Sequence, residues 1–319
     1  MEKATILLAG AVLVPALVLA AVLSLPVLAP SAAPGRDLSQ EEFAARYAVP
    51  LVPPDGPVAV YHLGHSLTGR DMPAILAGFG GHDWNSQLGW GASLNAHRRG
   101  EVAGMAEENA SPAFRPVAEA ISSGDYPVVV LTEMVALEDA IRWHDAPGAL
   151  AFWAAEIRKA RPDARIYLYE TWHSLNDTSN DPGDWLGRID RDLAALWEGK
   201  LLRPAMGQDG VGTIYVIPGG QVMAAVVRAA GAGELPGIRG VEDLLSDDIH
   251  FNDTGAWLMA LAHYAVIYGR SPVGLPAEVA CADGSRFAID PVAARRMQEI
   301  TWDVVTAYPP SGVAQRRGE

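Results

Sequence analysis

Cysteine is nearly absent from this chain: Cys281 is the only one in 319 residues. That count excludes an intramolecular disulfide framework and any zinc site built on cysteines. The surrounding Ala-Cys-Ala-Asp-Gly-Ser has no basic neighbour to stabilise a thiolate, so Cys281 reads as an inert residue in a turn. Basic residues are scarce too, with 24 Lys and Arg against 38 Asp and Glu, a net charge of −14 and no basic stripe. Nucleic acid is therefore not an expected partner, since phosphate contacts need clustered cations. His62 and His65 stand three apart at a strand end, with His173 distant and no carboxylate motif joining them, so no metal is expected. No cofactor is expected either.

Long hydrophobic runs are missing after residue 29, which makes the one at the N-terminus informative. Residues 4–29 are almost wholly apolar, enough to cross a bilayer, which takes about 20 residues. The small residues Ala29 and Ala33 are each followed by proline, which disfavours cleavage there. The expectation is a signal anchor in preference to a cleaved signal peptide, with the rest of the chain outside the cytoplasm, membrane-anchored or exported. Residues 30–56 read as a linker with a short helix over 39–47, where Ser39 and Glu42 have capping-box spacing. Residues 57–319 form the main domain and its C-terminal extension.

From residue 58 onwards short apolar runs alternate with helical stretches. Strands are expected over 58–63, 126–131, 165–169 and 213–217, with a polar fifth over 83–88. Helices are expected over 112–122, 146–160, 182–197, 220–230, 254–268 and 291–308. Near-continuous apolar strands separated by helices indicate a mostly parallel sheet covered on both faces, a three-layer α/β/α sandwich of flavodoxin-like type. Ligands in such folds bind beyond the carboxyl ends of the strands, which directs attention to residues 64–68, 132–134, 170–173 and 218–221.

Two of those places carry chemistry. The first strand runs into Gly64-His65-Ser66-Leu67-Thr68, and a serine at a strand-to-helix turn presents its hydroxyl and its own N–H to the cleft. Gly91-Ala92-Ser93 matches the same short Gly-x-Ser pattern, and a helix cap is the other reading of Ser66. Ser246-Asp247-Asp248-Ile249-His250 precedes the helix over 254–268. An Asp three residues before a His can accept the Nδ1 proton, leaving Nε2 as a base. A helix-start polar residue facing solvent is the plainer reading of His250.

Taken together, Gly64-His65-Ser66-Leu67 and Asp247-Asp248-Ile249-His250 resemble the first and last blocks of the SGNH (GDSL-like) hydrolase superfamily, in the same order along the chain. The resemblance implies a serine esterase with Ser66 as nucleophile, His250 as base and Asp247 as the acid behind it. It implies a second-block glycine as oxyanion donor, for which Gly91 is chosen with Gly89 close behind. His65 replaces the family's usual Asp and reads as a turn residue bonding its neighbours. The third-block Asn is missing: Leu131-Thr132-Glu133-Met134 stands in its place. Thr132, Asn95 or Asn109 could supply the donor, whereas an ionised Glu133 could only accept.

Glu170-Thr171-Trp172-His173 follows another strand and reads as a substrate-binding wall, with Trp172 to stack on a sugar or apolar group and His173 beside it, or as packed core and loop. Asn252-Asp253-Thr254 fits a glycosylation acceptor, though a cap role for Asp253 or Thr254 is the better reading. The implied substrates are small acyl esters, including O-acetyl groups on carbohydrate. Acyl transfer on the same triad and a catalytically silent carbohydrate-binding protein are the alternatives. Residues beyond 268 are expected to cover one face or edge of the sheet.

Overall fold

The computed structural model describes residues 36–177 and 184–314. In chain order the elements begin α1 (Gln40–Ala45), β1 (Val60–His65), α2 (Asp71–Gly80), β2 (Trp84–Gly89), α3 (Leu94–Arg99), α4 (Met105–Glu108) and α5 (Val117–Ser123). They continue with β3 (Val128–Leu131), α6 (Leu137–Trp143), α7 (Ala146–Ala160), β4 (Arg165–Glu170) and α8 (Trp185–Asp192), then a π-helical stretch, Leu193–Leu202, and α9 (Arg203–Met206). The last are β5 (Tyr215–Pro218), α10 (Gly219–Gly231), α11 (Asp253–Tyr268), the hairpin β6 (Glu278–Ala280) and β7 (Arg286–Ala288), and α12 (Pro291–Ala307).

Strands β1 to β5 form one parallel sheet in the order β2-β1-β3-β4-β5, the flavodoxin-like arrangement. Side chains alternate along each strand and feed two cores. On β1, Val60 enters one core while Tyr61 and Leu63 enter the other. Helices α2, α10, α11 and α12 pack on the first face, and α3, α5, α7 and α9 on the second. α11 is buried along most of its length, as a helix apolar on nearly all sides requires. The three-layer sandwich expected from the alternation of runs is the fold observed.

β2 is polar, reading Trp-Asn-Ser-Gln-Leu-Gly, because its outer edge is occupied by the segment before α5. Ser86 N–H donates to Ala113 O at 2.9 Å, Arg115 N–H to Ser86 O at 3.1 Å, and the Asn109 amide pairs with both backbone groups of Leu88. An edge covered in this way cannot recruit another strand.

Several helices differ from expectation. α2 is an unanticipated helix, its apolar residues Met72, Ile75 and Leu76 buried. The helix expected from residue 112 starts at Val117, because Ser111–Arg115 serves the β2 edge instead. The helix expected over 182–197 is α8, passing into the π-helical stretch as far as Leu202. α1 is capped by Ser39 with the reciprocal Glu42 bond in place, and it packs through buried Phe43, with the Tyr47 hydroxyl on Ile214 O at 2.7 Å. The expected anchor at residues 4–29 lies outside the described residues. Among the described residues no helix is long and apolar enough to cross a membrane.

Candidate active site

β1 ends at His65, and Ser66 occupies the turn that follows, closed by Thr68 N–H donating to His65 O at 2.8 Å. Gly64 is required here for space. A Cβ on it would lie 2.6 Å from Thr132 Cβ and 2.9 Å from Thr132 Oγ1. The turn is braced by two buried histidines. His65 accepts Leu67 N–H on Nδ1 at 3.3 Å and donates from Nε2 to Glu133 O at 2.9 Å. His97 donates from Nε2 to Gly64 O at 2.8 Å and accepts the Gln87 amide on Nδ1 at 3.0 Å. Each ring therefore uses one donor and one acceptor, the pattern of neutral imidazole. Burial lowers both from the ordinary 6.5 to about 4, against the raising effect of the carbonyl each ring meets.

The Asp-x-x-His loop lies in the stretch before α11. Asn252 N–H donates to Leu244 O at 3.0 Å, and Leu245 bridges Phe251, so the loop folds back on itself. Asn252 is the cap of α11, its side chain accepting Gly255 N–H at 3.1 Å, rather than Asp253 or Thr254 as expected. Asp247 Oδ1 accepts the N–H groups of Ile249 and His250 at 2.8 and 2.7 Å, and Oδ2 meets His250 Nδ1 at 2.7 Å. These bonds, led by the His250 N–H, lower Asp247 from 3.8 to about 2. An ionised carboxylate can only accept, so Nδ1 carries the proton and Nε2 keeps its lone pair. That Nε2 lies 2.9 Å from Ser66 Oγ. Ser66, His250 and Asp247 thus form one hydrogen-bonded line.

Gly91 is two residues beyond Gly89, the register partner of His65, and sits in the left-handed region with φ 52°. It therefore lies in the turn after β2, the strand beside β1, at the same end of the sheet as Ser66. Thr132 follows β3, buried, with its hydroxyl 3.2 Å from that of Thr68. An oxyanion role for that hydroxyl would require Thr68 to be the donor of this pair. Asn109 is committed to Leu88 and Met105. Glu133 turns inward and is wholly buried, accepting Leu94 N–H at 3.2 Å and Met134 N–H at 2.8 Å on one oxygen. Burial raises it to about 7 despite those N–H bonds. It joins the loop after β3 to the start of α3.

The expected substrate wall is corrected. Trp172 is 2% exposed, and its indole N–H donates to Ile249 O at 2.8 Å, so no face is free to stack on a ligand. His173 is buried beside Trp185. Glu170, beneath them, accepts Gly220 and Gln221 N–H at 2.8 and 3.2 Å. Burial raises it to about 8, despite its bonds from Gln221 and Gly220. The braces His97 and Gln87 were not anticipated, and no spacing in the sequence marks them. Asp71, Asp253 and Cys281 bring possible metal-ligand atoms within 4.8 Å of one another, apart from the triad. Asp71 there accepts Ala282 N–H at 2.8 Å, which ties the β6–β7 turn to α2.

No protein-family model matches the chain, and no curated protein does. Among solved structures it is similar to a candidate SGNH hydrolase from Slackia heliotrinireducens, at 20% identity over 66% of this chain and 98% of that one, with a TM-score of 0.39. It is also similar to a candidate GDSL-like lipase from Parabacteroides merdae, at 14% identity over 69% and 99%, with a TM-score of 0.42.

Proposed function

We propose that this chain is a serine hydrolase of the SGNH type that cleaves small acyl esters through an acyl-enzyme on Ser66. The supporting observation is the continuous line from Ser66 Oγ through both His250 nitrogens to Asp247. His250 Nε2 takes the serine proton as Oγ attacks the ester carbonyl, and Asp247 stabilises the imidazolium that forms. The backbone N–H groups of Ser66 and Gly91 hold the oxyanion. Collapse releases the alcohol, which takes the proton from His250, and water then repeats the sequence to free the acid. One oxyanion donor contributes about 3 kcal/mol to such a barrier, so lacking the third-block Asn slows the reaction without abolishing it.

O-acetyl groups on envelope carbohydrate are the substrates to examine first, with residues 4–29 holding the domain outside the cytoplasm. Trp172 and His173 are buried and offer a sugar no stacking face, so the reading rests on the triad. Hydrolysis of p-nitrophenyl acetate and of acetylated xylan or peptidoglycan by the purified full-length chain, beside Ser66→Ala, tests it. Acetate release that persists unchanged in the variant would defeat the proposal.

A further inference from the structure

The loop that carries Asp247 and His250 contains no helix or strand. Its internal bonds are local. Asp247 binds Ile249 and His250, and Ser246 donates to His250 O from its N–H at 2.7 Å and its hydroxyl at 3.1 Å. These bonds make the acid and the base one unit, but none of them fixes where that unit stands relative to Ser66, in the turn after β1. The side chains of His250 and Asp247 are 43% and 49% exposed, so packing around them supplies little restraint.

The base of the loop is closed by Asn252 and runs on into α11, and the restraint on its tip comes from the exit of β4. Trp172 donates its indole N–H to Ile249 O at 2.8 Å, and Leu175 N–H donates to Asp248 O at 2.8 Å. The Ser174 hydroxyl donates to the Asp248 carboxylate while accepting Asn176 N–H at 3.0 Å, so its proton has one direction to go. All three bonds fall on Asp248 and Ile249, the two residues between the acid and the base. The donors are themselves anchored. Trp172 is enclosed, with its ring 6.4 Å from that of Phe251. Glu170 just before it is bonded to the start of α10, and Trp185 donates to His173 O at 2.8 Å just after it. β4 pairs with β3, and β3 with β1, so a hydrogen-bonded path runs through the sheet from Trp172 to the serine turn.

We infer that Trp172 and Ser174 are positioning residues, which hold the Asp247–His250 unit at proton-transfer distance from Ser66 by fixing the backbone and side chain between the two. The inference rests on the triad reading above. Neither residue is placed against the reacting atoms, so their loss displaces the unit as a whole and leaves the Asp247–His250 bond intact. A misplacement of about 1 Å costs on the order of 10²-fold in rate.

The test follows fluorophosphonate labelling of the full-length chain over time, together with kcat and KM for an acetyl ester. The final extent of labelling counts correctly folded sites, and its rate constant reports their geometry. Ser174→Ala is expected to slow labelling and lower kcat by about 10-fold, and Trp172→Phe, which keeps a ring but loses the N–H, by about 10- to 100-fold. KM should stay within about twofold, because uniform substrate binding is untouched. Ser174→Thr and Asp248→Asn, which keep the donor and an acceptor oxygen, should restore most of the rate. Unchanged rate constants, or a reduced extent of labelling at an unchanged rate in Ser174→Ala, overturn the inference. A wild-type chain that never labels overturns the triad reading itself, and the inference with it.

Discussion

Ser66 Oγ and His250 Nε2 meet at 2.9 Å although 184 residues separate them in sequence. Two independent supports produce the meeting. The serine turn is fixed from below by His65 and His97, and the His250 loop runs directly into α11, which packs against α2, the helix that follows Ser66. The contact is within the range a general base needs.

On the proposed mechanism, replacing Ser66 by Ala removes the nucleophile and little else. Ester hydrolysis should fall by at least about 10³-fold, as for a nucleophile acting within a cooperative triad. Stability should change by no more than about 0.5 kcal/mol, because the residue is only half-buried and its bond partner is solvated. Steady-state kinetics and urea unfolding on the same preparation check both.

Asp247→Asn tests the acid. The amide can donate to Nδ1, which moves the imidazole proton to Nε2 and points a donor instead of a base at Ser66. kcat should fall by about 10²- to 10⁴-fold with KM little changed. An equal loss through KM would contradict the assignment.

Much of this architecture was legible in the sequence. The apolar runs of β1, β3, β4 and β5 announce the sheet because buried parallel strands have no polar face to interrupt them. The two blocks around Ser66 and His250 sit where chain order and the strand-end rule place a site. β2 was barely legible, since its Asn85, Ser86 and Gln87 bond to a covering segment that no local pattern reveals. Trp172 is open to two readings in the sequence for a related reason. A tryptophan just past a strand end can face the cleft or the core, and only the tertiary bond to Ile249 O decides between them. His97 likewise owes its role to Gly64 O, 33 positions away in sequence, and to Gln87, and no helix or strand period links the three.

Gly64→Ala should destabilise the fold through overpacking. The new methyl would lie 2.6 Å from Thr132 Cβ, a β-branched atom with no freedom to swing away. A loss of about 1–3 kcal/mol is expected in urea unfolding. A wild-type midpoint would mean the serine turn is looser than described.

Stability should depend on pH in two opposed windows. His65, His97 and His263 are lowered to about 4 by burial, so between 6.5 and 4 the unfolded chain binds the additional protons. Their stabilising contribution is complete above about 6.5 and is lost as pH falls towards 4. Glu133 and Glu170 are raised to about 7 and 8, so the folded chain binds the additional protons above 4.5. Their contribution is present at low pH and is lost as pH rises through 7 to 8. The urea midpoint should therefore peak near pH 6.5 and decline on both sides, with the alkaline decline reduced in Glu170→Gln. A midpoint that is flat from pH 5 to 8 would contradict this.

Activation of a single hydroxyl is read out by peptide mapping of the folded protein after reaction with a fluorophosphonate. A single adduct on Ser66, absent from the His250→Ala variant, is the result predicted. An adduct on Ser93 or another serine, or no adduct on a chain shown to be folded, would contradict it.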